Sequence, residues 1–287
     1  MSWVHEAYYV RMPSGPPTQG DVWTGLPWRI DASLPCTGIV ITPRCDFSHD
    51  KTPVVNYLPI VSVREYIRIG GGFNLVAQEA SKGREALKYA ARMLKVDNLL
   101  EMGLTAEEIA KFVQSQRTDA SDKSAITKSE RQIADLLKCD ARLKTLQSVE
   151  DVSSLSDDHI RDLIPEKALT RFLNDVVRNA VTDVHFLPPC LNLLPSPSVV
   201  LFRHIYTCPI ALLKLADSCL NETDWIGALK TGTLRGYPEN HPKPERILRL
   251  KTPYLESSMA RFSALFGRIG VRDPDPDQLL EFVEASR

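Results

Sequence analysis

A chain of 287 residues, 43% hydrophobic and 25% charged, is long enough for one large domain or two ordinary ones and carries the apolar surface for a sizeable core. Its 35 basic and 36 acidic side chains nearly cancel, which excludes attachment to nucleic acid or an anionic membrane through global charge and leaves room only for a local basic patch. The same balance excludes a disordered, highly charged chain.

The opening MSWVHEAYYVRMPSG has no basic start followed by an apolar run, so no signal peptide is expected. Apolar runs such as 39–41 and 199–202 fall far short of the roughly 20 residues that span a bilayer. The six cysteines, at 36, 45, 139, 190, 208 and 219, form no CxxC pair and read as reduced, mostly buried thiols. A cytoplasmic protein without a membrane partner is the expectation.

In chain order, residues 1–20 hold a short Tyr8–Val10 segment and then a Pro-, Gly- and Ser-rich stretch, expected to be a loose entry. Gly20–Trp23 opens an apolar segment. Thr37–Thr42 and Val54–Val63 are β-branched runs around a turn-rich loop, 44–53, and read as adjacent strands. The Gly70–Gly72 triplet is expected to break the chain, and without a following Lys-Ser/Thr it is no phosphate-binding loop.

From about 75 to 180 the pattern turns helical. Leu87, Ala90, Ala91 and Leu94 share one helix face. Thr105 and Glu108 form a capping box before Ile109, Phe112 and Val113, and Thr127 with Glu130 repeats the pattern before Ile133, Leu136 and Leu137. Ser156 precedes two acids and another apolar stripe. Strand character returns at 184–187, 199–208 and 246–250. Pro253 then opens a helix whose stripe is Leu255, Met259, Phe262, Phe266 and Ile269.

Chemistry concentrates at Arg44–His49. Cys45 and His49 are spaced for a thiolate–imidazolium pair, Arg44 would favour the thiolate, and Asp46 sits between them; Arg44, Cys45, Asp46 and His49 are therefore the candidate catalytic residues. The competing reading makes Asp46 and Ser48 turn caps and Cys45 an inert buried thiol. Cys36, Cys45, His49, His185, Cys190, His204 and Cys208 offer metal-ligand chemistry, but their spacing fits no finger or ribbon, so neither metal nor cofactor is called for. Arg246, Arg249, Lys251, Arg261 and Arg268 make the C-terminal region locally basic, a solvated face or a nucleic-acid contact.

The succession GDVW, TGIVITP, VVNYLPIVSV resembles the opening of the SH3-like barrels of the PemK/MazF toxin family. The TPRCD, FLPP and LKTPYLESSMARFSALFGRIGV segments resemble uncharacterised bacterial proteins of mobile or anti-phage loci. The toxin resemblance implies a dimeric endoribonuclease using an arginine before the second strand and a Thr or Ser at a strand end. Thr42 or Ser62 can fill the latter place, but no arginine precedes the strand closer than Arg29, and Arg44 lies beyond it.

The expected architecture is α+β: an SH3-like β-barrel, begun by residues 1–74 and completed by the strands of 181–287, interrupted by a helical insertion (75–180) and closed by a C-terminal helix. The expected function is a binding or regulatory component of a bacterial defence or toxin–antitoxin-like system, engaging a protein partner or nucleic acid. The alternative is an enzyme, either a toxin-type endoribonuclease or a Cys/His-dependent hydrolase.

Overall fold

Runs of β-branched and aromatic residues alternating with turn formers build one sheet in the computed structural model, which describes residues 7–28, 35–48, 52–116, 123–149, 157–219, 221–231 and 241–267. Its strands are β1 (Tyr9–Arg11), β2 (Asp21–Pro27), β3 (Pro35–Val40), β4 (Val54–Ser62), β5 (Val184–Leu187), β6 (Ser198–Leu201), β7 (Tyr206–Pro209) and β8 (Glu245–Leu250). Every pairing is antiparallel, in the order β1-β8-β2-β3-β4-β6-β5, with β7 also on β4.

The α+β class is as expected, but the sheet is open: among the described residues no pairing joins β1 to β5. β4 shows how the edge is used. Its Val54–Tyr57 half pairs with β7 and its Ile60–Ser62 end pairs with β6. Pro59, which has no N–H for a ladder, falls between those two stretches.

Both faces of the sheet are covered, so alternate residues of each strand enter different cores. Trp23, Val40 and Tyr57 pack with Leu212, Leu213 and Trp225 of α9 (Ile210–Ser218) and α10 (Glu222–Lys230). Their neighbours Val22, Ile39 and Leu58 pack on the other face with Val200, Phe202 and Leu248, beneath α11 (Tyr254–Phe266). On α11 the face turned to that core is Tyr254, Leu255, Phe262 and Leu265, with Ser258 fully buried. The expected stripe is thus displaced: Phe266 is exposed and Ile269 lies outside the described residues.

The chain divides into two compact units, a strand unit of 1–62 with 178–287 and a helical unit of 63–177. The helical unit begins where β4 runs on into α2 (Val63–Tyr66), a π turn (Ile67–Gly71) and α3 (Gly72–Met93). The glycine triplet is therefore inside a helix, not a break. A Cβ on Gly71 would lie 2.8 Å from Tyr66 Cε1 and 2.9 Å from Phe172 Cζ, so the glycine permits a close approach.

After α3 come α4 (Asp97–Glu101), α5 (Ala106–Ser115), α6 (Lys123–Gln147), α7 (Asp157–Leu163) and α8 (Glu166–Val177). Thr105 and Glu108 make both hydrogen bonds of the expected capping box. Thr127 does not cap; α6 starts four residues earlier and passes through it. Ser156 lies outside the described residues. One core of the unit joins Ala91, Ile109, Val113 and Leu136, and a second joins Leu75, Val76, Leu143, Leu146 and Ile164. Buried Glu79 is paired with Lys82 at 2.6 Å and Arg142 at 3.4 Å, as a buried charge requires.

No helix among the described residues is long and apolar enough to cross a membrane.

Candidate functional site

Within the strand unit, a cleft of about 670 Å³ is bounded by the loop 14–19, the turn carrying Arg44 and Phe47, the helix α9, and the passage from β8 into α11. Its lining mixes charge with apolar surface. Arg44, Lys214, Arg249 and Lys251 supply four cations against the carboxylate of Glu256, while Pro16, Pro17, Phe47, Ile210, Leu250 and Leu255 are apolar.

Beneath the cleft lies a buried ion network centred on Asp21. The residue before it, Gly20, has φ +85°, a left-handed conformation that favours glycine. This turn delivers Asp21 to the first position of β2 with its side chain fully buried. Its carboxylate accepts hydrogen bonds from the Thr18 N–H at 2.8 Å, from Arg246 Nη1 at 3.3 Å and from Arg249 Nη2 at 3.1 Å, with Arg249 Nε also donating. Arg246 lies 5.5 Å from the Trp23 ring centroid, a cation–π arrangement, and donates through Nη2 to Gly15 O at 2.6 Å and Asp217 Oδ2 at 3.2 Å. Burial pushes the Asp217 carboxyl up from its ordinary range, and Arg246 opposes that shift.

A β-bulge makes this convergence possible. Residues three apart on a strand normally face opposite sides, which would separate Arg246 from Arg249. In the β2–β8 ladder Asp21 faces Arg249 and Val22 faces Leu248, but Trp23 faces Arg246, so Ile247 is the extra residue. The bulge returns both arginines to Asp21.

The sequence-predicted residues meet this site only partially. Arg44 lines the cleft, on α1 (Arg44–Ser48), a single helical turn where a loop was expected. Cys45 is exposed, not buried, and its thiol donates to Asp46 Oδ1 at 3.5 Å. His49 lies outside the described residues, as does Arg29, so no Cys–His pair is among them. Thr42 is buried and accepts the Asn56 N–H at 2.7 Å, tying β3 to β4.

The expected basic patch is redistributed. Arg246 and Arg249 are engaged by carboxylates, and Arg261 donates to Val181 O at 2.8 Å and Val184 O at 3.0 Å, fastening α11 beside β5. Arg268 lies outside the described residues, and of the other four only Arg249 and Lys251 line the cleft. Among the described residues no group of three or more His, Cys, Asp or Glu is placed to hold a metal ion. Cys36 and Cys208 sit in the core with their thiols pushed up to about 12 by burial. His185 is also buried, and His204 is exposed beside Tyr206.

Sequence reading passed over Lys214 and the loop 14–19. Lys214 is one cation within the apolar segment IALLKLAD, and nothing local distinguishes it. The loop, expected to be a loose entry, is instead fastened by Arg246 at Gly15 and by Asp21 at Thr18.

No protein-family model, curated protein or solved structure matches this chain.

Proposed function

We propose that this protein is a binding component that engages nucleic acid through the cleft of its strand unit, serving a bacterial defence or toxin–antitoxin-like system. One observation carries the binding half: the cleft sets Arg44, Lys214 and Lys251 beside Pro16, Pro17 and Phe47. A nucleic-acid strand is an alternation of phosphates and flat apolar bases, and cations interleaved with an aromatic ring and proline faces suit both. A volume of about 670 Å³ lies within the range of ordinary ligand sites. The defence setting rests on the sequence resemblance alone, as does the SH3-like character attributed to the β2–β4 meander. Binding is preferred to catalysis because no Cys or His is among the described lining residues, and the one carboxylate there, Glu256, accepts the Thr252 hydroxyl at 2.8 Å.

The test is fluorescence anisotropy with labelled single-stranded RNA and DNA across a salt series. Arg44, Lys214 and Lys251 are the lining cations outside the Asp21 network. Log K should fall linearly with log salt, as it does when Lys and Arg side chains replace counterions on phosphates. Replacing Arg44, Lys214 and Lys251 together by Ala should abolish that binding. Equal affinity in the triple variant would overturn the proposal, and so would co-purification with a protein at defined stoichiometry when no oligonucleotide binds at low salt.

A further inference from the structure

We infer that Asp21 is the positioning residue of the cleft, a buried carboxylate that sets the shape of the ligand site without touching the ligand. The inference rests on the nucleic-acid reading above and adds what holds that site in register.

Three of the cleft's walls are tied to this one side chain. The loop 14–19 is held directly, because the Thr18 N–H donates to Asp21 Oδ2 at 2.8 Å. The β8–α11 wall is held through Arg249, which lines the cleft and meets the carboxylate with two nitrogens. The α9 wall, which supplies Ile210 and Lys214, is held through Arg246, bonded at once to Asp21 and to Asp217. Each arginine also reaches back to the first wall, Arg246 to Gly15 O at 2.6 Å and Arg249 to Pro16 O at 3.5 Å.

The charges of this cluster argue for shape. Asp21 and Asp217 balance Arg246 and Arg249, so the quartet adds no net charge to a site whose proposed ligand is anionic. A cleft depending on charge alone would be better served with both arginines unneutralised. Here two guanidinium forks instead hold backbone carbonyls and carboxylates, work that suits a planar, rigid donor and that a lysine ammonium does poorly.

This makes the sign of one substitution decisive. Asp21→Asn keeps the side-chain shape and removes a negative charge, so electrostatics alone predicts tighter oligonucleotide binding. Positioning predicts the opposite: about tenfold weaker binding, with the salt slope no shallower than that of the unaltered protein. Amide hydrogen exchange of the Asp21→Asn chain, without oligonucleotide, should show the Thr18 N–H losing protection. Arg249→Lys keeps the charge and loses the fork, and should weaken binding several-fold. It also serves as the deciding variant if Asp21→Asn does not fold.

Folded Asp21→Asn protein that binds the labelled single strand as tightly as the unaltered protein, or tighter, overturns the inference. Where Asp21→Asn does not fold, undiminished affinity in Arg249→Lys does the same. If the unaltered protein binds no oligonucleotide, the nucleic-acid reading has failed, while unchanged Thr18 exchange in folded Asp21→Asn protein shows separately that the carboxylate does not hold the loop.

Discussion

His185 carries a pH consequence for stability that can be assigned to one side chain. It is buried on β5, stacked on Phe202 with centroids 6.4 Å apart, and burial together with the Arg261 guanidinium pushes its pKa down to about 4. The folded protein therefore holds it neutral, while in the unfolded chain it takes up a proton near its ordinary 6.5. The unfolded state binds more protons across that interval, so stability is complete above pH 6.5 and falls as the pH drops toward 4. The loss attributable to this group approaches about 3 kcal/mol at the acid end. Urea unfolding of the protein and of His185→Gln across pH 7.5 to 4 checks it: the variant should lose less stability over that window, and parallel curves would dissociate His185 from acid sensitivity. Thiol chemistry gives a second prediction. Native-state alkylation should label Cys45, which is exposed, while Cys36, Cys190, Cys208 and Cys219, all buried, react only on unfolding. Some of this was readable beforehand. Buried thiols follow from cysteine's usual preference for the interior, and Arg44 stood out in a turn after a strand. The role of Arg246 and Arg249 was not, because their three-residue spacing acquires meaning only through a bulge that no local signal marks.

At the scale of elements, two adjacent glycines make opposite predictions. Gly70 and Gly71 both lie in the π turn between α2 and α3, but a Cβ on Gly70 would meet nothing within 4 Å. Gly70→Ala should stabilise the protein by up to about 1 kcal/mol, since alanine loses less conformational entropy in a helix. Gly71→Ala must push apart the stacked Tyr66 and Phe172 rings and should cost about 1–3 kcal/mol. Thermal or urea unfolding of the two variants checks both signs. The glycine triplet was misread as a break because glycine favours loops by intrinsic propensity, and here the packing of Tyr66 and Phe172 prevails. The two capping signatures divide for a related reason. At Thr105 the extended cap geometry and both hydrogen bonds are present, and Thr105→Ala should cost about 1 kcal/mol. At Thr127 the same four-residue pattern lies within α6, which starts at Lys123 and runs through it, so Thr127 is an interior residue and not a cap. The strands were the most legible elements: the runs at 37–42, 54–63, 184–187 and 246–250 each became one, while the stretch 199–208 became two, β6 and β7. Their closure into a barrel was not, because pattern identifies a strand and not its distant partner.

For the whole molecule, the arrangement of cores predicts how it unfolds. The Trp23–Trp225 and Ile39–Phe202 cores draw only on the strand unit, whereas the Ile109–Leu136 and Leu75–Ile164 cores draw only on residues 63–177. The strand unit is assembled from two separated stretches of chain, so it can form only once residues on either side of the helical segment are present. The helical unit is continuous in sequence, with contacts such as α3 against α6 closed within it. Those properties describe two cooperative blocks of unequal contact order, and the helical one should form first and without help. Residues 63–177 expressed alone should therefore show helical circular dichroism and a single cooperative thermal transition, and calorimetry of the full chain should resolve two transitions, one matching the isolated segment. A segment that is helical but melts without cooperativity would mean that its two cores need the strand unit to become uniquely packed. The cleft gives the complementary expectation, because every residue lining it belongs to the strand unit. Oligonucleotide binding should thus disappear with the strand unit's transition on heating and not with the helical one, and anisotropy followed through the melt decides between them.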